Sequence, residues 1–347
     1  MRIVSSIVLG TGMFSAWGLD LDETASYAYV ADYNSGSLRV IDVRDKYNPI
    51  EVGSVTHEKL VGAAYPIYHN GYVYVEGKKV GGRFCVIDVT NPSMPKVVGA
   101  TDVCCIPQKK RMISDNMVIG SRGSTVRIMD VSNPAKPVEK GSVSDSTRLD
   151  STVGIAIADS KAYVSGYHRF NTIDISDPTK LEILATLTDY VHISGDTRDV
   201  EINGNYAFIA DFGKGAIVVV DISQPTAPTF HSLFEDAKLR GLWDIEIVGT
   251  KLFCAADLAN TLSIVDAADI KNLRIQESIT DNVRLDGVMD IRVRGNYTYV
   301  TAIDVGRLTI IENTSTLVEI TFDTRKEDGT VLTGVEVWID GEKKGIT

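Results

Sequence analysis

The sequence predicts an all-β fold: a seven-bladed β-propeller closed by the N-terminal strand, followed by a short C-terminal β segment. Three observations predict it. A strand that ends in Asp and runs into a proline turn recurs along the chain at a nearly constant interval. The segments between these phrases alternate with the period of strands, not helices. The seventh copy lacks a fourth strand, and the first residues of the chain match one. We therefore divide the chain into a propeller over residues 1–313 and, over 314–347, a partial β-sandwich-like module or packed tail.

The recurring phrases, "LRVIDV", "FCVIDV", "VRIMDV", "NTIDIS", "IVVVDI" and "LSIVDA", align on Asp42, Asp88, Asp130, Asp174, Asp221 and Asp266, with Glu312 in the seventh place. The intervals of 46, 42, 44, 47, 45 and 46 residues fit one propeller blade of four short strands. Blade five reads strand by strand as "RDVEING", "NYAFIADFGKG", "AIVVVDISQPTAP" and "TFHSLF". The second strand recurs as "YAYVADYNSG", "GYVYVEG", "KAYVSG", "KLFCAAD" and "NYTYVTA", whose Tyr, Phe and Val suit a strand buried on both faces, so its aromatics are expected in the core.

An Asp at the end of the third strand accepts N–H groups from the residues that follow, and Pro four or seven positions on fixes φ without offering a donor. Eight of the ten prolines, Pro49, Pro92, Pro95, Pro134, Pro137, Pro178, Pro225 and Pro228, occupy those offsets. The repeated Asp is thus expected to end a strand and not to catalyse.

With the "YVAD" strand before them and "NPxxP" after, these phrases resemble LVIVD repeats, which build β-propellers in bacterial and archaeal cell-surface proteins. The resemblance covers residues 1–313. It departs in blade six, where "AADIKNL" has no proline, and in blade seven, where Glu312 replaces Asp. It implies a location at the cell surface or outside the cell. "RIVSSI" at 2–7 matches "RIQESI" at 274–279, the fourth strand of blade six, so the first residues are expected to complete blade seven. This displaces a reading of the opening "MRIVSSIVLG" as a signal peptide, which also lacks an A-x-A-like cleavage site. The tail "DGTVLTGVEVWIDGEKKGIT" resembles the opening of a PEGA-type or carboxypeptidase-regulatory-like β-sandwich.

The formal net charge of −11 disfavours nucleic acid or an anionic membrane as partner, because a polyanion needs Lys and Arg to displace its counterions. No run of about 18 apolar residues spans a bilayer. Of the four cysteines, Cys85 and Cys254 fall in apolar strand phrases and are expected as buried thiols. Cys104 and Cys105 lie in a loop, and no zinc-ligand spacing joins any of the four to a His. No H-E-x-x-H, G-x-S-x-G, Walker or dinucleotide-binding phrase occurs. His192 beside Cys104 and Cys105 is the one thiol–imidazole option. Asn296 and Asn313 head N-x-S/T sequons.

The unshared material is concentrated in the long loops that enter the first strand of each blade, for example "THEKLVGAAYP" and "FEDAKLRGLWD". Aligned blades place Asp199, Asp244 and Asp290 at one position, the start of the innermost strand in blades five to seven, at the channel mouth. The position before carries Trp17, Lys109, Arg198, Trp243 and Met289. Asp32, Asp211, Asp257 and Asp304 follow the second strands on the same face. Two roles fit the inner triplet: ligands for Ca²⁺ or another divalent cation, with Trp as a stacking surface, or acceptors for backbone amides. The favoured function is a non-enzymatic surface or secreted propeller that binds a protein, glycan or cation on its loop-rich acidic face. Its rivals are a metal-dependent hydrolase or lactonase-like enzyme and a structural spacer in a surface layer.

Overall fold

The computed structural model describes residues 1–10, 15–80, 82–101, 110–114, 116–313, 336–339 and 342–346. The chain divides into two compact units, Met1–Thr314 and Ser315–Thr347. The first holds seven separate four-stranded antiparallel sheets. Each second strand is nearly solid core, as in Tyr27–Asp32, Tyr206–Asp211 and Tyr297–Ala302, whereas the outer strands, such as Ile50–Thr56 and Val138–Ser144, are half-exposed. The third residue of the second strand is aromatic in six blades: Tyr29, Tyr74, Tyr163, Phe208, Phe253 and Tyr299. All six are buried, so these rings are core as their strand context requires.

The core lies between blades as well as within them. Phe208, Ile217 and Val219 of blade five pack with Leu242, Leu252 and Val265 of blade six in one cluster. Among the described residues neighbouring blades share no strand ladder, only isolated contacts such as the Gly123–Thr152 bridge, so this apolar contact carries much of the coupling round the ring.

Blade seven closes as expected. Arg2–Val8 pairs antiparallel with Arg307–Glu312, Arg2 facing Glu312 and Ser5 facing Ile310. Arg2 and Glu312 are also ion-paired, and Val4 and Ile7 pack on a cluster that includes Leu308 and Ile310. Every blade has a register shift between its third and fourth strands, at Val40/Ile41 in blade one and Ile264/Val265 in blade six, and blade seven reproduces it at Ile3/Ser5. Both ends of the propeller chain therefore meet in a sheet built to the same pattern as the other six.

The turn after the third strand is the same device six times. The Oδ1 atoms of Asp42, Asp88, Asp130, Asp174, Asp221 and Asp266 accept the N–H two residues on, at 2.8–3.0 Å. Hydrogen bonding lowers the carboxyl pKa of five of them, chiefly through Arg44 at Asp42, Ser132 at Asp130, Ser176 at Asp174, Ser223 at Asp221 and Arg274 at Asp266.

In the second unit the described residues form a hairpin of Glu336–Ile339 and Glu342–Ile346. Most of the segment that resembles a PEGA-type module lies outside the described residues. Among the described residues no helix is long and apolar enough to cross a membrane.

Candidate functional site

The inner strands bring two tiers of charged side chains to the channel. In the upper tier Asp244 Oδ2 accepts the N–H of Ile291 at 2.9 Å, and Asp290 Oδ2 accepts that of Leu19 at 2.8 Å. Each carboxylate thus reaches from its own blade to the backbone of the next. In the lower tier Asp20 Oδ2 accepts the N–H of Tyr68 at 2.8 Å, repeating the arrangement one alternation further down the strand.

Blade one has Gly18 where blades five to seven have Asp199, Asp244 and Asp290. Its φ is +102°, and a Cβ there would meet Asp290 Oδ2 and the backbone of Tyr65, so the glycine makes room for the neighbouring carboxylate.

Arg292 lies among these acids. Its Nε is 2.9 Å from Asp20 Oδ1, and its Nη1 is 3.3 Å from Asp290 Oδ1 and 3.9 Å from Asp244 Oδ2. Burial works against its charge, but Asp290, Asp20, Glu246 and Asp244 together outweigh that and hold its pKa well above the ordinary value. Burial raises the pKa of Glu246, against Arg292 and Arg294. A cavity of about 300 Å³ lies here, lined by Asp20, Glu201, Asp244, Glu246, Arg292 and Arg294 with Ile67, Ile245 and Ile247.

The expected site residues separate by depth. Asp199, Asp244 and Asp290 are 0–1% exposed. Among the described residues no group of three or more His, Cys, Asp or Glu side chains is arranged to hold a metal ion. Met289 is buried in one cluster with Ala64, Tyr65 and Ile303, while Trp17 and Trp243 are only partly buried against the same cluster. Lys109 lies outside the described residues, as do Cys104 and Cys105. Cys85 and Cys254 are buried free thiols, and burial pushes the Cys85 thiol up to about 12. His192 pairs with Asp189 at 2.8 Å and stacks on Phe230. Asn296 is exposed, but Asn313 is 4% exposed and its Oδ1 accepts from Thr298, so only the first sequon presents its amide to solvent.

Trp17, Arg198 and Trp243 do come together, with partners that the repeat did not reveal. Trp17 stacks on Tyr33 at 4.8 Å and meets Trp243 edge-on at 6.5 Å. Trp243 Nε1 donates to Tyr65 Oη at 3.3 Å, and Phe212 packs edge-on against Trp243. The Arg198 guanidinium lies 4.4 Å from the Trp243 ring centroid and 4.8 Å from that of Phe212, with Asp196 2.7 Å from its Nη2. Lys78 Nζ lies 4.8 Å from Trp17 and 5.1 Å from Tyr65, and Lys79 Nζ lies 4.7 Å from Tyr33. Such contacts stabilise partly desolvated cations. Burial first, then Arg198 and Arg122, bring the Lys78 ammonium down to about 8, with Glu76 opposing.

Tyr33, Lys78, Tyr167, Phe212, Asp257 and Ile303 all directly follow a second strand, so one repeat position supplies much of the mouth. That position is the signal that would have found Tyr33, Lys78 and Phe212.

The four outer aspartates also divide. Asp32 pairs with Arg39, and Asp211 accepts from the N–H of Ser194 and of Lys214. Asp257 is pushed up to about 6 by burial, with Asp304 and Asp286 adding to the shift and Arg198 opposing it. Asp304 is raised by burial and Asp286. The mouth therefore has cations from blades two, three and five and an acidic flank over blades six and seven.

The LVIVD repeat matches residues 24–57, 69–103, 119–145, 194–236 and 287–320, which fall in blades one, two, three, five and seven. The chain is thus a β-propeller that carries LVIVD repeats. No curated protein sequence matches it. Solved structures with the same fold include BamB from Moraxella catarrhalis, at 16% identity and a TM-score of 0.59 over 91% of this chain and 99% of that one. A periplasmic gluconolactonase of Pseudomonas aeruginosa aligns at 11% identity and 0.66 over 80% and 87%, and virginiamycin B lyase from Staphylococcus aureus at 10% and 0.66 over 90% and 99%. At these identities the likeness extends to the fold alone.

Proposed function

We propose that the chain is a non-enzymatic binding module, secreted or displayed at the cell surface, that receives a protein or glycan partner at the channel mouth of its loop face. The observation that carries this reading is the half-exposed group of Trp17, Tyr33, Trp243 and Phe212 interleaved with Lys78, Lys79 and Arg198. Aromatic faces beside partly desolvated charges supply contact area and orientation, which is what recognition needs. In this reading Asp244 and Asp290 support the mouth from below as inter-blade acceptors, and Asp199 stands at the same level.

The test is a glycan array and a panel of purified surface proteins, probed with the intact chain and with Trp17→Ala, each checked by melting. The reading predicts binding that chelator leaves unchanged and that Trp17→Ala lowers tenfold or more. Hydrolysis of a lactone that requires a divalent cation and disappears in Asp244→Asn would instead establish the metal-dependent hydrolase. Absence of any partner for the folded chain would favour the spacer.

A further inference from the structure

The cations of the mouth run against the sign of the molecule. In a chain of net charge −11, Lys78 has no carboxylate within ion-pair distance among the described residues, and two of the three charged groups that act on it, Arg198 and Arg122, are cations. Glu76 alone opposes them. Arg198 engages Asp196 through one nitrogen, yet its Nε is buried with no hydrogen-bond partner among the described residues. A desolvated cation among like charges is unfavourable unless something answers it, and ring faces answer it only in part. The two cations are joined through the Trp17–Trp243 contact, so an ammonium outside any ion pair and a guanidinium with one unsatisfied N–H bear on one aromatic surface.

On blades six and seven, Asp257 and Asp304 supply the opposite chemistry. Raised carboxyls, crowded by Asp286, are poor hosts for a second anion and good acceptors for hydroxyl groups. A ligand that suits both sets of groups carries one anionic group, a ring with apolar C–H faces and several hydroxyls. A polyacidic peptide would meet repulsion from the acidic flank.

Building on the binding reading, we propose that the mouth takes a carboxylate-bearing saccharide of the uronic acid class. Its carboxylate answers Lys78 and Arg198, its ring lies against the Trp17–Trp243 surface, and its hydroxyls face Asp257 and Asp304. The approach of a carboxylate raises the Lys78 pKa, so complex formation takes up a proton near pH 8. Affinity is full below the free-state value of about 8 and falls as pH rises through the bound-state value.

The experiment is calorimetry with methyl β-D-glucuronide and methyl β-D-glucoside at pH 7 to 9, in two buffers of different ionisation enthalpy. The glucuronide is expected to bind at least tenfold tighter than the glucoside, with proton uptake at pH 8. Lys78→Met should abolish the proton uptake and weaken the glucuronide at least tenfold while leaving the melting temperature unlowered. Lys78→Arg should restore affinity without the pH dependence. Equal binding of both glycosides would overturn the anionic assignment and leave the glycan reading standing. Failure of both, while the protein panel alone registers a partner sensitive to Trp17→Ala, would overturn the saccharide and keep the binding reading. Proton uptake that survives in Lys78→Met would remove Lys78 from the site.

Discussion

The two ends of each blade treat carboxylates in opposite ways. At the turns that follow the third strands, six aspartates are satisfied by the backbone two residues on, and the device repeats with little change. At the channel, Asp20, Asp244 and Asp290 reach the backbone of another blade and share Arg292. The local turn works whatever the rest of the chain does, whereas the channel acceptors work only when the ring is complete. The repeat therefore builds the blades, and the unrepeated residues lock the ring and shape its mouth.

The contrast is broken most severely by opening the ring. Removing residues 1–8 leaves the edge of Arg307–Glu312 unpaired and strips cover from Leu308 and Ile310. Thermal unfolding by circular dichroism is expected to lose its single cooperative transition, with aggregation through the open edge. Retention of the parent melting curve would show that closure contributes nothing. Next in size is Arg292→Met, which strands several buried carboxylates. Urea titration at pH 7 should register a loss of about 3–5 kcal/mol. Asp244→Ala leaves the Ile291 N–H only its longer bond to Asp290 Oδ1, at 3.3 Å, and is expected to cost about 2 kcal/mol in the same assay.

The turn set should respond far more weakly. Asp130→Ala removes one exposed turn acceptor, for an expected loss of about 1 kcal/mol. Asp257, at the mouth, has a pH dependence opposite in sign to that of the turn set. The turn carboxyls of Asp42, Asp130, Asp174, Asp221 and Asp266 have lowered folded-state pKa values, so what they contribute is present above about pH 4 and is lost as pH falls through the folded values. Asp257, raised to about 6, weakens the fold slightly at pH 7, and that penalty is relieved as pH falls through 6. Melting curves from pH 7 to 3 should therefore be flat or rise slightly to about pH 5 and then drop. Asp257→Asn should remove the small rise and leave the drop.

Much of the fold was legible because its signals are local. The Asp with its prolines and the aromatic second strand each lie within one blade's length of sequence, and the match of 2–7 to 274–279 joins two short segments that the repeat brings into register. The alignment also placed Asp199, Asp244 and Asp290 at one level. It did not reveal their acceptor role, because the donors are backbone N–H groups of the following blade and carry no residue signature. Arg292 left a faint trace, a cation at a position where other blades have Asp20, Glu201 and Glu246, shared only with Arg111 of blade three. Tyr65 left none. It lies where the pairing in blade two shifts between Ala64 and Ile67, with φ of +45°, so no repeat-based alignment carries it to the mouth beside Trp243.

The account holds that the inner aspartates lock blades together and leave recognition to the layer above them. The most direct measurement is a calorimetric titration of the intact chain with Ca²⁺ at pH 7. The account predicts no saturable heat. Saturable uptake that disappears in Asp244→Asn would contradict it and make those carboxylates a cation site.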